Sequence, residues 1–313
     1  TGFNTLGYTM GDVTMTPDYP RAAQLASDMQ KAIVGDDIDG VFAVDPVFLQ
    51  YMLGIVGGTQ LPDGTVVDGS NAAKVLLHDI YWNYPVEEQD AIFAAVAGSA
   101  FNKIVDELGS SDIAKIAGAI EKGASEGRIL MYSRNDDEEK AAKALGISGA
   151  LQTDTSEAPI LGVYVNNYSY SKMDWFLDKR VTIDSSVENA DGSTTYRVTT
   201  TLKNTMTPQE KAEMPGYFQG HNGISQDIDD EVLRLYLYAP AGGSISDIKT
   251  SGSGSIEMNE ATHDGLKVAW GGVHMLLGQD IKVEYTVTTS KDSGHKELKV
   301  RTTPTAQTFE QDK

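Results

Sequence analysis

Cysteine does not occur in this chain, and its absence excludes disulfides, thiolate catalysis and zinc–thiolate sites together. Such a composition fits an exported protein of a bacterium that avoids cysteine outside the cell. Long apolar runs are missing too. The richest, Ile92–Ala97, lies within a longer helical stretch flanked by Asp90 and Lys103, well short of the ~18 residues that a membrane span requires. No basic stretch followed by an apolar segment opens the chain, so any targeting segment is expected to lie outside these residues or to have been removed. Positive charge is scarce: 25 Lys and Arg stand against 45 Asp and Glu, a net charge of −20. That field repels phosphate backbones and argues against a nucleic-acid partner.

The familiar chemical signatures are absent as well. There is no P-loop, no G-x-G-x-x-G opening a helix, no G-x-S-x-G elbow and no H-E-x-x-H. The five histidines, His78, His221, His263, His274 and His295, are scattered with no i,i+4 pair, which argues against a histidine metal site. Thr1 would be a nucleophile only if it were a mature N-terminus using its own amine as base, and no second motif supports that.

What is present describes a folded protein. Forty per cent hydrophobic and 22% charged residues are ordinary for a globular chain, and 313 residues exceed what one core usually serves. Two domains are expected, an α/β domain over 1–160 and a β-sandwich domain over 161–313. In the first, Leu25, Met29 and Ile33 with Ala22 and Ala26 form the apolar face of a helix. Ile38–Val44 reads as a short buried strand, and Asp45-Pro46 supplies a cap acceptor and a first-turn proline for the next helix. Leu61-Pro62-Asp63-Gly64 marks a turn, and Ser70-Asn71 precedes a helix through Ile80. A long helix runs from Val86 to Leu108, and Ser110 and Ser111 cap another through Ile113, Ile116 and Ile120. The strand Ile129–Tyr132 follows. Asn135 then caps a helix whose first turn is Asp136, Asp137, Glu138 and Glu139, with Gly146 at its end.

After about residue 160 the period changes from 3.6 to 2. Leu233, Leu235 and Leu237 alternate with Arg234, Tyr236 and Tyr238, and Ile281, Val283, Tyr285 and Val287 alternate with polar residues. Further strands are read at Arg180–Val187, Thr195–Leu202, Leu266–Trp270 and Leu298–Thr302, with turns at Asn189–Gly192 and Ser251–Gly254. Two packed antiparallel sheets, an immunoglobulin-like sandwich, are the economical solution. The stretch 205–230, rich in proline and glycine, reads as a surface excursion.

Three acid-rich places are candidate sites. Asp18 and Arg21 put a carboxylate and a guanidinium at a helix entrance, where free N–H groups favour an anion; a cap with a surface arginine has the same composition. Asp45 falls at the carboxyl end of the Ile38–Val44 strand, where open α/β sheets place ligands, and it is equally a helix cap. His78 and Asp79, with Glu87, Glu88 and Asp90, lie near Tyr81-Trp82-Asn83-Tyr84, a mixture suited to a metal or a sugar and also found at exposed helix ends.

Several phrases together resemble one family: Thr16-Pro-Asp-Tyr-Pro20, Asp39–Pro46, Glu126–Ser133, Gly162–Asn166 and Lys172-Met-Asp174, then Thr201–Thr205, Met214–Tyr217 and Tyr238-Ala-Pro240. In order, and over almost the whole chain, they look like the bacterial domain-of-unknown-function family 4012, common in actinobacteria. The resemblance implies an extracytoplasmic cell-surface protein, held to the membrane through an N-terminal anchor absent from this chain. It also implies that the α/β domain starts before Thr1, with strands of its sheet missing here. A more distant similarity is to the LytR-CpsA-Psr phosphotransferases, which move glycopolymers from polyprenyl-pyrophosphate carriers onto peptidoglycan. It rests on the order of strand, helix, Gly57-Gly58 turn, Pro62-Asp-Gly turn, helix and long helix, and it implies a layered α/β domain. Those enzymes grip pyrophosphate with arginines where this chain, from Tyr81 to Phe93, has none.

Two functions follow as expectations. One is a non-catalytic binding or scaffolding module for a cell-wall glycan, a lipid-linked precursor or an envelope protein. The other is a divergent glycopolymer phosphotransferase or pyrophosphatase using Asp18, Arg21 and Asp45, with Mg²⁺ to screen the acids.

Overall fold

The computed structural model describes residues 10–61, 63–107, 113–169, 171–220, 227 and 229–306. By its contacts the chain divides into two units, one of Thr1–Leu76 with Glu87–Leu151 and one of Leu77–Val86 with Gln152–Lys313. The sequence reading draws a single break at residue 160; here Leu77–Val86 go with the second unit. The architecture is mixed α/β in the first half and rich in strands in the second.

The first half contains α1 (Tyr19–Val34), β1 (Gly40–Val44), α2 (Pro46–Val56) and the small hairpin of β2 (Thr59–Gln60) and β3 (Val66–Val67). Then come α3 (Ala72–Lys74), a π-helical turn (Val75–Asp79), α4 (Ile80–Asn83), α5 (Val86–Glu107), α6 (Ile113–Ser125), β4 (Ile129–Ser133) and α7 (Asp136–Ala144). Caps set the boundaries. The Phe48 N–H donates to Asp45 at 2.7 Å, and the Asp137 and Glu138 N–H groups donate to Asn135, as the sequence leads one to expect. Gly35 ends α1 at φ +92, a conformation that a side chain would resist. Phe48 and Met52 of α2 pack against Ile116 and Ala119 of α6 and Ile129 of β4. The close crossing needs Gly123, where an added Cβ would fall 2.4 Å from the Phe48 ring.

Two expectations are corrected. The buried face of α1 is Ala22, Ala23 and Ser27, while Ile33 is 75% exposed; small residues let the helix lie close, and the larger apolar ones fall to its flank and end. The strand expected to be buried, β1, alternates exposed with half-buried residues, and Phe42 and Val44 are 65% and 54% exposed. Its physical setting explains this: β1 pairs antiparallel with β4 in a two-stranded ladder, and among the described residues no further strand pairs with it. A two-stranded antiparallel ladder is also unlike the open parallel sheet that made the end of β1 a ligand position. Pro62, Leu108, Ser110 and Ser111 lie outside the described residues.

The second half contains β5 (Ile160–Asn167), β6 (Leu177–Glu188), β7 (Thr194–Asn204), α8 (Pro208–Glu213), α9 (Gly216–Gln219) and β8 (Glu231–Tyr238). After these follow β9 (Ser244–Gly252), β10 (Ser255–His263), β11 (Leu266–Met275), β12 (Asp280–Thr288) and β13 (Lys299–Thr302). One sheet runs β10-β11-β8-β5-β13 and the other β6-β7-β12-β9. All pairings are antiparallel except β13 with β5. The inward leucines of β8 meet Val198 and Leu202 of β7 and Ile281, Val283 and Val287 of β12 across one core, so the two sheets pack face to face. The 205–230 stretch is more than a surface excursion: Met206, Met214 and Phe218 are buried in a separate apolar cluster with Met173 and Phe176. Apolar residues spaced between the prolines and glycines anchor it.

Candidate functional site

In the first unit the acidic candidates are tied into structure. Asp18 stands at the entrance of α1, where its side chain makes no cap bond; instead it accepts from the Leu151 N–H at 3.0 Å. Asp45 both caps α2 and takes Arg128 at 2.6 Å. The same guanidinium, 4% exposed, holds Glu126 at 2.6 Å, and Glu126 accepts from the Tyr51 hydroxyl at 2.9 Å. Burial pushes the Asp45 carboxyl up, but the Phe48 N–H and Arg128 oppose that push, and two bonds at 2.6 to 2.7 Å describe an ionised carboxylate. Burial, then Glu126, pushes the Tyr51 phenol up to about 12. This network leaves its arginine committed on both sides, and Arg21 is an exposed residue of α1.

The second unit holds the other pair. His78 and Asp79 sit in the π-helical turn, a distortion frequent at functional positions. His78 Nδ1 lies 2.8 Å from Asp79 Oδ1, so Nδ1 carries the proton in the neutral ring and Nε2 is left as an acceptor. Nε2 is buried and has no hydrogen-bond partner. The ring stacks on Trp82 at 4.6 Å and 19°, with Trp175, Phe176 and Phe218 at 5.5, 6.1 and 5.6 Å. One turn of helix separates His78 from Trp82, which is why they stack. Tyr81 projects nearby, 6.5 Å from Tyr217, and the Lys172 ammonium lies 5.0 Å from the Tyr81 ring and 5.9 Å from the Tyr217 ring. Burial lowers Lys172 from its ordinary value.

Tyr217 is exposed, and Tyr81, Trp82 and Trp175 are half-buried. The cluster therefore combines aromatic faces within reach of solvent, one cation and one imidazole nitrogen lacking a donor. Among the described residues no group of three or more His, Asp or Glu side chains is placed to hold a metal ion. What the cluster can offer a ligand is stacking faces and a hydrogen-bond acceptor.

The five candidate residues thus fall in two places, Asp18, Arg21 and Asp45 in one unit and His78 and Asp79 in the other. Sequence reasoning missed Trp175, Phe218 and Lys172 as their neighbours, because these come from segments about a hundred residues or more away. The available signal was Lys172-Met173-Asp174-Trp175-Phe176 itself, an apolar and aromatic run too short for a strand of its own.

Residues 2–81 match the model of a family described as a protein of unknown function, DUF4012. This is the family that the sequence phrases resemble, and the matched stretch ends on Tyr81, just past the His78–Asp79 pair. The phrases from Glu126 onward lie beyond it. No curated protein and no solved structure matches the chain.

Proposed function

We propose that the chain is a non-catalytic, extracytoplasmic binding module of the bacterial cell envelope, and that its site recognises a glycan through the His78 cluster. The carrying observation is that His78 Nε2, fixed as an acceptor by Asp79, has no donor while its ring stands among tryptophan and phenylalanine rings. Sugar rings offer what such a site lacks, hydroxyl donors beside apolar C–H faces that stack on aromatic rings. The cysteine-free composition and the family resemblance support the envelope setting, with a membrane anchor ahead of this region. The second unit is read as an immunoglobulin-like sandwich from its two packed sheets, and the first as a relative of the LytR-CpsA-Psr domain from the order of its elements. Phosphotransfer is the weaker reading, since Arg128, the guanidinium beside Asp45, is taken up by two carboxylates.

Soluble peptidoglycan fragments titrated into the chain test this by the fluorescence of Trp82 and Trp175. Saturable quenching is expected, and a His78→Ala variant that its thermal melt shows to be folded should weaken it at least about tenfold, the loss of a hydrogen bond of roughly 1.5 kcal/mol. A folded parent that shows no saturable response rejects the glycan reading.

A further inference from the structure

Glu231 opens β8 with the same parity as Leu233, Leu235 and Leu237, so it faces the interior and sits opposite Met275 of β11. It is 0% exposed, and neither carboxyl oxygen has a hydrogen-bond partner. The basic side chains on the surrounding segments have other partners. Lys211 holds Asp229 at 2.7 Å, His274 holds Asp230 at 2.9 Å, and Lys172 lies over Tyr81 and Tyr217 and attracts Asp174. Two acids lie close: Asp230 is its chain neighbour, and Asp174 is hydrogen-bonded to Asn167, whose partner across the β5–β8 ladder is Leu233, two residues from Glu231; both act on Glu231 as like charges. Asp174 accepts from Asn167 at 3.1 Å and belongs to the 3₁₀ turn Met173–Phe176, which brings Trp175 and Phe176 to His78.

A carboxylate without a donor in such a place is strongly unfavourable, and the group keeps its proton instead. Burial, then Asp174 and Asp230, accordingly pushes Glu231 well above the usual carboxylate range. Burial also pushes Asp174 upward, opposed by the Asn167 amide and the Lys172 ammonium, although the residue keeps an exposed flank. We propose that Glu231 and Asp174 form a proton-operated latch on the aromatic site: with Glu231 protonated the Met173–Phe176 turn stays docked, and with Glu231 ionised the like charge of Asp174 loosens it. The consequence for ligand binding rests on the glycan reading; the latch itself does not. Glycan affinity then falls as pH rises past the ordinary glutamate range.

Hydrogen exchange over residues 171–177, followed from about pH 5 to about pH 8 and corrected for the intrinsic pH dependence of exchange, tests the latch without any ligand. Protection in the parent should fall at least about tenfold across that range, while Glu231→Gln, which keeps the shape and cannot ionise, should stay protected throughout. Equal pH dependence in parent and E231Q, or none in the parent, overturns the proposal. Should E231Q fail to fold, Asp174→Asn decides: protection that persists to higher pH supports the latch, and an unchanged profile overturns it. Peptidoglycan fragments form the second arm. Binding that weakens in step with lost protection shows the latch acting on the site; a latch that responds to pH in a protein that binds no fragment stands alone, and the glycan reading fails.

Discussion

The Asp45 network in the first unit and the His78–Glu231 region in the second are both built from acids, a base and aromatic rings, yet they differ in what is left over. Around Asp45 the partners are matched: a cap N–H and a guanidinium for Asp45, a second carboxylate for that guanidinium, and a tyrosine hydroxyl for that carboxylate. In the second unit His78 Nε2, Asp230 Oδ1 and both oxygens of Glu231 are buried without partners. Folded proteins satisfy nearly all buried polar atoms, so each of these exceptions calls for an explanation that the Asp45 network does not need. Sequence composition alone ranks the two places as equals; hydrogen-bond completion separates them.

The comparison predicts opposite responses to removing a charge. Asp45→Ala should be the larger effect, destabilising by about 3 kcal/mol, because it deletes a helix cap and leaves a buried guanidinium with one partner fewer. Chemical denaturation measures it, and replacing Arg128 by Met in the same chain should restore much of the loss, since removing both members of a buried pair is far milder than removing one. A single-mutant loss under about 1 kcal/mol would mean that the network is ornamental. Glu231→Gln should act in the other direction. Glu231 has a folded-state pKa raised above its unfolded value, so its contribution is fully present below the unfolded value, about 4.3, and is lost as pH rises through the folded one. Relative to E231Q the parent should therefore weaken with rising pH, by about 1 kcal/mol or more near pH 8, and the two should converge near pH 4. Parallel stability curves would erase the contrast between the two regions.

Local signals in the sequence were dependable where the chemistry is local. Asp45-Pro46 and Asn135 announce caps that form as read, and the alternation of Leu233, Leu235 and Leu237 fixes which face of β8 is buried. Glu231 was legible in the same pattern, two residues before Leu233, as an acid in a core position. The strands β5 and β9 escaped because their patterns are not alternating: Ile160–Val165 is nearly all apolar, and Ser244–Gly252 is largely polar and exposed; β10 alternates only at Ile256 and Met258, too briefly to stand out. Ile38–Val44 misled because a β-branched run reports strand propensity, whereas burial depends on which layers cover the strand. The aromatic cluster was half visible: His78 and Trp82 share a helical face, while Trp175 and Phe218 reach them only through tertiary packing.

The central claim is that His78 Nε2 is an acceptor waiting for a ligand donor, and nitrogen NMR of the His78 ring tests it most directly. In the free protein the neutral ring should carry its proton on Nδ1, toward Asp79. Addition of soluble peptidoglycan fragments should move the Nε2 resonance in the direction of a newly accepted hydrogen bond and leave Nδ1 on Asp79. A proton already on Nε2 in the free protein, or binding that leaves the His78 resonances unmoved, would contradict the account.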